Sequence, residues 1–355
     1  SGVLDLGLVA TLRLPDAGSG RELDVDYVVN GRVADFASAQ PIQERRIDKG
    51  QLVFTASQEG YRLGGSAEID GLPADVEIVG TPSGDPTIRI GSTIEVADLA
   101  KMGFDASEFL SGRVRFVAQP LQGGSLQMAV DLQDAAFNLR DLGISKAAGT
   151  SGTLSATITP AGEITQLNDI DLSFGTVRAI GDITYHASQG LQAASFSQFG
   201  LSNGDNAQLD MAPIEGGYAV QIRGSQLDLK PMLRQFFGLG EGAGGVQSTQ
   251  FDQTIALDVQ LERALGFYAT TAFNLDLDLL LRGSDMRRAN LTAQFSDGNS
   301  LSVTTNPAPR GRTLSVAFND AGTILRLLGV YSQLAGGSGN LVMTTDRDRD
   351  VEMGQ

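Results

Sequence analysis

The chain has one histidine, His186, and no cysteine, so the residue types that most often run hydrolytic or metal chemistry are nearly absent. A Ser-His-Asp relay would have to use His186, yet no G-x-S-x-G elbow occurs to present a serine. A histidine metal cluster needs more than one such ligand, and H-E-x-x-H is missing. Between Tyr185 and Ala187, His186 reads as a structural or surface residue of a strand. Asp346, Asp348 and Asp350 have the alternation that opens a calcium loop, but Val351 stands where that loop needs glycine and no glutamate closes it. A charged, solvated tail is the simpler reading. Gly238 to Gly245 fits neither dinucleotide nor P-loop spacing and is expected to be a loop. The pairs Asp24/Asp26 and Asp276/Asp278 could serve glycoside hydrolysis. They fall on the polar faces of strand patterns, however, and the chain has no tryptophan to stack on a sugar. No enzyme and no cofactor are expected.

Composition narrows the partners. The formal charge is −16, which opposes nucleic acids and anionic lipid surfaces. Hydrophobic residues make up 41% of the chain, ample for a core, while only 6% are aromatic. The 44 glycines suit many tight turns better than long helices. No apolar run reaches membrane-span length, and no basic-then-apolar leader opens the sequence. The expectation is a soluble piece of something longer: one elongated segment over 1–345 and a charged tail over 346–355.

Strict alternation is the dominant pattern. Phe273, Leu275, Leu277, Leu279 and Leu281 interleave with Asn274, Asp276 and Asp278. Leu4, Leu6, Leu8, Leu12 and Leu14 alternate likewise, as do Ile255, Leu257, Val259 and Leu261. Side chains on a strand point alternately to opposite faces, so each such segment has one apolar and one wet face. Leu126, Met128 and Val130, then Leu154, Ala156 and Ile158, then Leu314, Val316 and Phe318 repeat the pattern. Asn30-Gly31, Gln58-Glu59-Gly60 and Asp70-Gly71 are read as hairpin turns between such segments. Short strands with regular turn signals predict an antiparallel β protein with no strand–helix–strand rhythm.

Helices are few. Asp320 predicts a cap for a helix over 320–334, with Ile324, Leu327, Leu328, Tyr331 and Leu334 on one stripe and Gly336-Gly337 as its stop. A second helix follows Asp228, with Leu229, Leu233 and Phe236 on one side, and a shorter piece follows Asp98. Related openings at Ile94, Phe137, Leu227 and Val316 lie 43, 90 and 89 residues apart, close to multiples of about 45. That spacing suggests loosely repeated units.

Four blocks, in order, resemble segments of a known family: 63–74 (Leu63 to Ala74), Asp98–Gly103 with Phe109–Gly112, Gly143–Thr150, and Phe318–Tyr331 with Leu334–Gly337. They are similar to AsmA-like proteins, in the branch of YhdP (DUF3971) and the TamB-type lipid transporters. The resemblance implies a mainly β fold, a long curved antiparallel sheet forming an open, apolar-lined groove with a few short helices. It also implies a periplasmic protein of a Gram-negative envelope, anchored in the inner membrane by an N-terminal helix that is absent here. Its role would be to bind phospholipid acyl chains and move lipid between inner and outer membranes, reaching both through regions outside this segment. Leu126, Met128, Val130, Ile255, Leu257, Val259, Leu275, Leu277, Leu279, Leu314 and Val316 are the expected lining, with Leu327 and Tyr331 on a helix covering one end. The alternatives are a non-catalytic envelope scaffold that binds proteins, with a filled interior, and a carbohydrate-active β protein with a polar cleft.

Overall fold

The computed structural model describes residues 2–13, 24–40, 45–102, 106–107, 109–139, 144–237, 254–283, 285–309 and 311–346. Leu14, the glycine-rich 238–245 stretch and the tail beyond Asp346 lie outside the described residues. Among the described residues the protein is mainly β, with 22 strands in predominantly antiparallel pairing and a few short helices. Its contacts divide it into two compact units, 1–135 with 153–159, and 136–152 with 160–355.

Unit 1 is a meander. Its strands are β1 (Val3–Arg13), β2 (Asp24–Phe36), β3 (Ile47–Ser57), β4 (Gly60–Ile69), β5 (Leu72–Gly80), β6 (Thr87–Glu95), β7 (Leu110–Pro120) and β8 (Leu126–Asp131). Each pairs antiparallel with the next, and β8 also pairs with residues 153–158 of β11 (Gly152–Ala161). The Asp70-Gly71 turn forms as expected, with both residues at positive φ (52° and 80°) and Ile69 facing Leu72. Such a turn matches the natural twist of a hairpin. Asn30-Gly31 does not form a turn. Both lie inside β2, and Gly31 faces Phe54, whose ring fills the space a side chain at Gly31 would take. The glycine is there for close packing across the strand pair, not for a bend.

Unit 2 opens with a small hairpin, β9 (Ala135–Leu139) with β10 (Ile144–Lys146). A second meander follows: β12 (Ile164–Phe174), β13 (Val177–His186), β14 (Gly190–Gly200), β15 (Asn206–Ile214) and β16 (Gly217–Asp228). After helix α1 (Lys230–Phe237) the chain returns as β17 (Thr254–Leu265), parallel to β16. This corrects the reading of a wholly antiparallel chain: one strand–helix–strand crossover interrupts the hairpins. The rest is antiparallel, through β18 (Thr271–Arg282), β19 (Asp285–Gln294), β20 (Ser300–Ala308), β21 (Gly311–Phe318), helix α2 (Ala321–Leu327) and β22 (Gly339–Asp346). Because β16 and β17 are parallel, β16 and β21 run the same way, so α1 and α2 both leave the sheet at the same margin.

Helix α2 is half as long as the sequence suggested. Asp320 caps it as expected, accepting from the backbone N–H of Thr323 at 3.1 Å. Its end comes early because Gly329, at φ 80°, donates to Arg326 O at 3.0 Å while Val330 donates to Leu325 O at 2.9 Å. That pair of reversed bonds is a Schellman stop. Leu327 is therefore helical and 8% exposed, whereas Tyr331 is beyond the helix and 57% exposed. Near Asp98, the expected short piece is a 3₁₀ helix, Val96–Met102.

Candidate functional site

Residues directly opposed in a ladder share a face, so the registers of successive pairs can be followed as rows across a sheet. In unit 2 one row runs Ile170, Gly181, Phe196, Leu209, Ile222, Val259, Leu277, Leu291, Val303, Val316, Leu341. Eleven strands contribute one residue each, and none is polar. A parallel row toward the open margin contains Leu167, Ile183, Ala194, Met211, Val220, Leu257 and Leu279. On the other side of the first row stand Ala207, Gly224, Leu261 and Leu275.

Burial grades across these rows. At the margin carrying the helices, Phe174, Phe199, Leu227, Ala264, Ala272 and Met232 belong to one buried cluster, with α2 contributing Leu327. Ile222, in the middle row, is 1% exposed. In the row toward the opposite margin Ala194 and Val220 are still buried, while Met211, Leu257 and Leu279, and Leu314 on β21, are half-buried. Along the middle row itself, burial falls from Ile222 to Leu341, which is 51% exposed on β22. The apolar face of the unit is thus dry at the helix-bearing margin and less buried toward the other on β17, β18 and β21.

Unit 1 shows the same construction by itself. One row runs Leu4, Val33, Leu52, Gly65, Val76, Ile90, Ala118, Met128, Ala156. Leu72, Ala74, Ile94, Val96 and Val114 form the buried side, next to the 3₁₀ helix. Leu52, Val76, Ile90, Leu126 and Met128 are half-buried, and Leu4 is 57% exposed.

The expected lining residues therefore fall on the two apolar faces. Ile255, Leu257, Val259, Leu275, Leu277, Leu279, Leu314 and Val316 share that of unit 2, and Leu126, Met128 and Val130 share that of unit 1. Val259 and Leu275 belong to the dry cluster, while the others are half-buried. Sequence reading missed Ile222, Leu209, Leu291 and Val303, which join these strands into one row; the signal was their period of two, but the register that aligns them is long-range.

A cleft of about 630 Å³ in unit 2 opens on the polar face instead. The directly paired Gln208, Arg223, Gln260 and Asp276 line it. Arg223 is held there by Asp258, at 2.6 Å between Nη2 and Oδ2. The cleft is open to water and polar, and an acyl chain gains nothing in it. His186 sits at the end of a hairpin, with Nε2 3.3 Å from Glu163 Oε2 and Nδ1 3.3 Å from the hydroxyl of Ser188. Glu163 is 76% exposed and Ser188 also turns its backbone N–H toward Nδ1, so this is a local turn contact screened by water.

No family model, curated protein or solved structure matches the chain.

Proposed function

We propose that this protein is a non-catalytic carrier that shelters phospholipid acyl chains on its apolar faces, acting in the periplasm of a Gram-negative envelope in lipid movement between inner and outer membranes. The observation that carries it is the eleven-strand apolar row of unit 2, flanked on its open side by half-buried leucines and methionine. Water is a poor neighbour for such a face, and each methylene removed from water contributes about 0.8 kcal/mol. A two-chain lipid would therefore be held with few polar contacts, and neighbouring positions along a row are chemically equivalent. Sliding along them costs little, which suits transport. Periplasmic location, anchoring and supply to the outer membrane come from the AsmA-like sequence blocks.

Native mass spectrometry after gentle purification tests the reading. Co-purified or added phospholipid should appear as discrete mass increments. Neither appearing would leave the scaffold alternative, in which the half-buried face receives a protein.

A further inference from the structure

Two exposed loops of unit 2 adjoin at the helix-bearing margin. Beyond the last β17–β18 pair, Leu265 with Thr271, the chain reverses over Phe267-Tyr268-Ala269-Thr270, where Thr270 donates its N–H to Phe267 O at 3.0 Å. Tyr268 and Ala269 have φ of 50° and 54°, a two-residue turn of the kind that asparagine-glycine fills without strain. Tyrosine is costly there, because its Cβ crowds the backbone in the left-handed region. Tyr268 nevertheless remains 55% exposed. The second loop follows α2, and its Val330, Tyr331 and Leu334 are 48%, 57% and 41% exposed. Exposure does not mean that this loop is loose. Val330 and Tyr331 both donate to Leu325 O, Arg326 Nη1 donates to Leu334 O at 2.8 Å, and Ala321 and Gly322 donate to Gly337 O and Gly336 O. The two loops share a base, since Phe267 donates to Leu327 O and packs its ring on Gly329. Four large side chains are thus kept in water on a hydrogen-bonded frame.

Grouped, exposed apolar side chains mark a contact surface, and the charges around them indicate its partner. Residues 264–275 and 327–345 contain no charged side chain, in a chain of formal charge −16. At the base of the loops Arg234 lies 5.1 Å from the Phe267 ring and Arg326 holds the Leu334 carbonyl, while Asp320 is committed to the α2 cap. Tyrosine suits the membrane–water boundary, with an apolar ring and a wet hydroxyl, and arginine meets phosphates there. We propose that these two loops dock unit 2 on a zwitterionic phospholipid surface, with Tyr268, Val330, Tyr331 and Leu334 entering the interface. A neutral surface is the one that so acidic a chain can approach, because an anionic one repels it. The strained turn then trades stability for contact. This docking does not rest on the acyl-chain reading above.

Flotation of the whole chain with phosphatidylcholine vesicles tests it. Converting the turn by Tyr268→Asn with Ala269→Gly should raise the melting temperature and yet weaken vesicle binding several-fold. Tyr331→Asp should weaken binding roughly tenfold, since it drives a carboxylate into the interface. The chain has no tryptophan, so Tyr331→Trp supplies a sole reporter. Chain-brominated phosphatidylcholine should quench it, and should leave Gln208→Trp on the polar face unquenched. An unaltered chain that stays out of the vesicle fraction overturns the proposal, as does binding unchanged in both the turn variant and Tyr331→Asp. Binding that requires anionic lipid overturns the neutral surface. A dimer lost in Tyr331→Asp, with no vesicle binding, gives the loops to a second copy of the chain instead. Soluble dihexanoyl phosphatidylcholine should bind Tyr331→Asp and the original chain alike; if it binds neither while vesicles still bind, the acyl-chain reading fails and the docking stands.

Discussion

Gly266 lies directly under Leu327. A Cβ at Gly266 would stand 2.6 Å from the Leu327 carbonyl oxygen, and the next residue, Phe267, donates its backbone N–H to that same oxygen at 3.0 Å. The β17–β18 turn and the end of α2 are thereby fastened together at the dry margin of unit 2. Gly266→Ala has no room without moving backbone, so it should destabilise the protein by about 1–3 kcal/mol. Urea unfolding checks this; an unaltered midpoint would mean the turn and helix are not clamped.

The early end of α2 separates two residues that the sequence placed on one stripe. Leu327→Asp puts a carboxylate into the dry cluster and should cost several kcal/mol. Tyr331→Asp changes an exposed side chain and should stay within about 0.5 kcal/mol. Paired thermal melts of the two variants give the comparison directly, and equal losses would contradict the Schellman stop.

The cap of α2 should respond to pH. The Thr323 hydroxyl donates to Asp320 at 2.7 Å and, with the backbone N–H groups of Thr323 and Gly336 and the nearby Arg326 charge, holds the Asp320 carboxyl below the usual carboxylate range. A carboxyl lowered in the folded state stabilises above its unfolded pKa of about 3.9, and that contribution is lost as pH falls below it. Asp320→Asn should flatten this part of the acid-unfolding curve, and Asp320→Ala should cost about 1 kcal/mol at neutral pH. Curves for the original chain and Asp320→Asn that run parallel between pH 5 and pH 2 would remove the cap from the argument.

Dry core and lining are separable by substitution. Val259 is 4% exposed, so Val259→Ala should lower stability by about 1–3 kcal/mol whether or not lipid is present. Leu279, half-buried on the open side, should tolerate Leu279→Ser with a smaller stability loss but a clear loss of bound lipid. Measuring stability and lipid retention on the same samples distinguishes them; matched behaviour of the two variants would make the whole face ordinary core.

Much of this architecture was legible because period two is a local signal. The strands around Leu126, Leu257, Leu277 and Leu314 needed only their own alternation to be found, and Asp70-Gly71 carried its own backbone preference. Asn30-Gly31 has the same turn chemistry but sits opposite Phe54, a partner more than twenty residues away, and packing overrode the local reading. Gly329 ended α2 because its positive φ suits a C-cap, a signal hidden by the apolar stripe that continues to Tyr331 and Leu334. The parallel return of β17 could not be read from strand patterns that look alike in either direction.

A phospholipid carrying a photoreactive group midway along one acyl chain tests the central claim most directly. After irradiation and digestion, the account predicts adducts on half-buried residues of the apolar faces, with Leu257, Leu279 and Leu314 foremost. Adducts confined to the polar face around Gln208 and Gln260, or none above an unirradiated control, would contradict it.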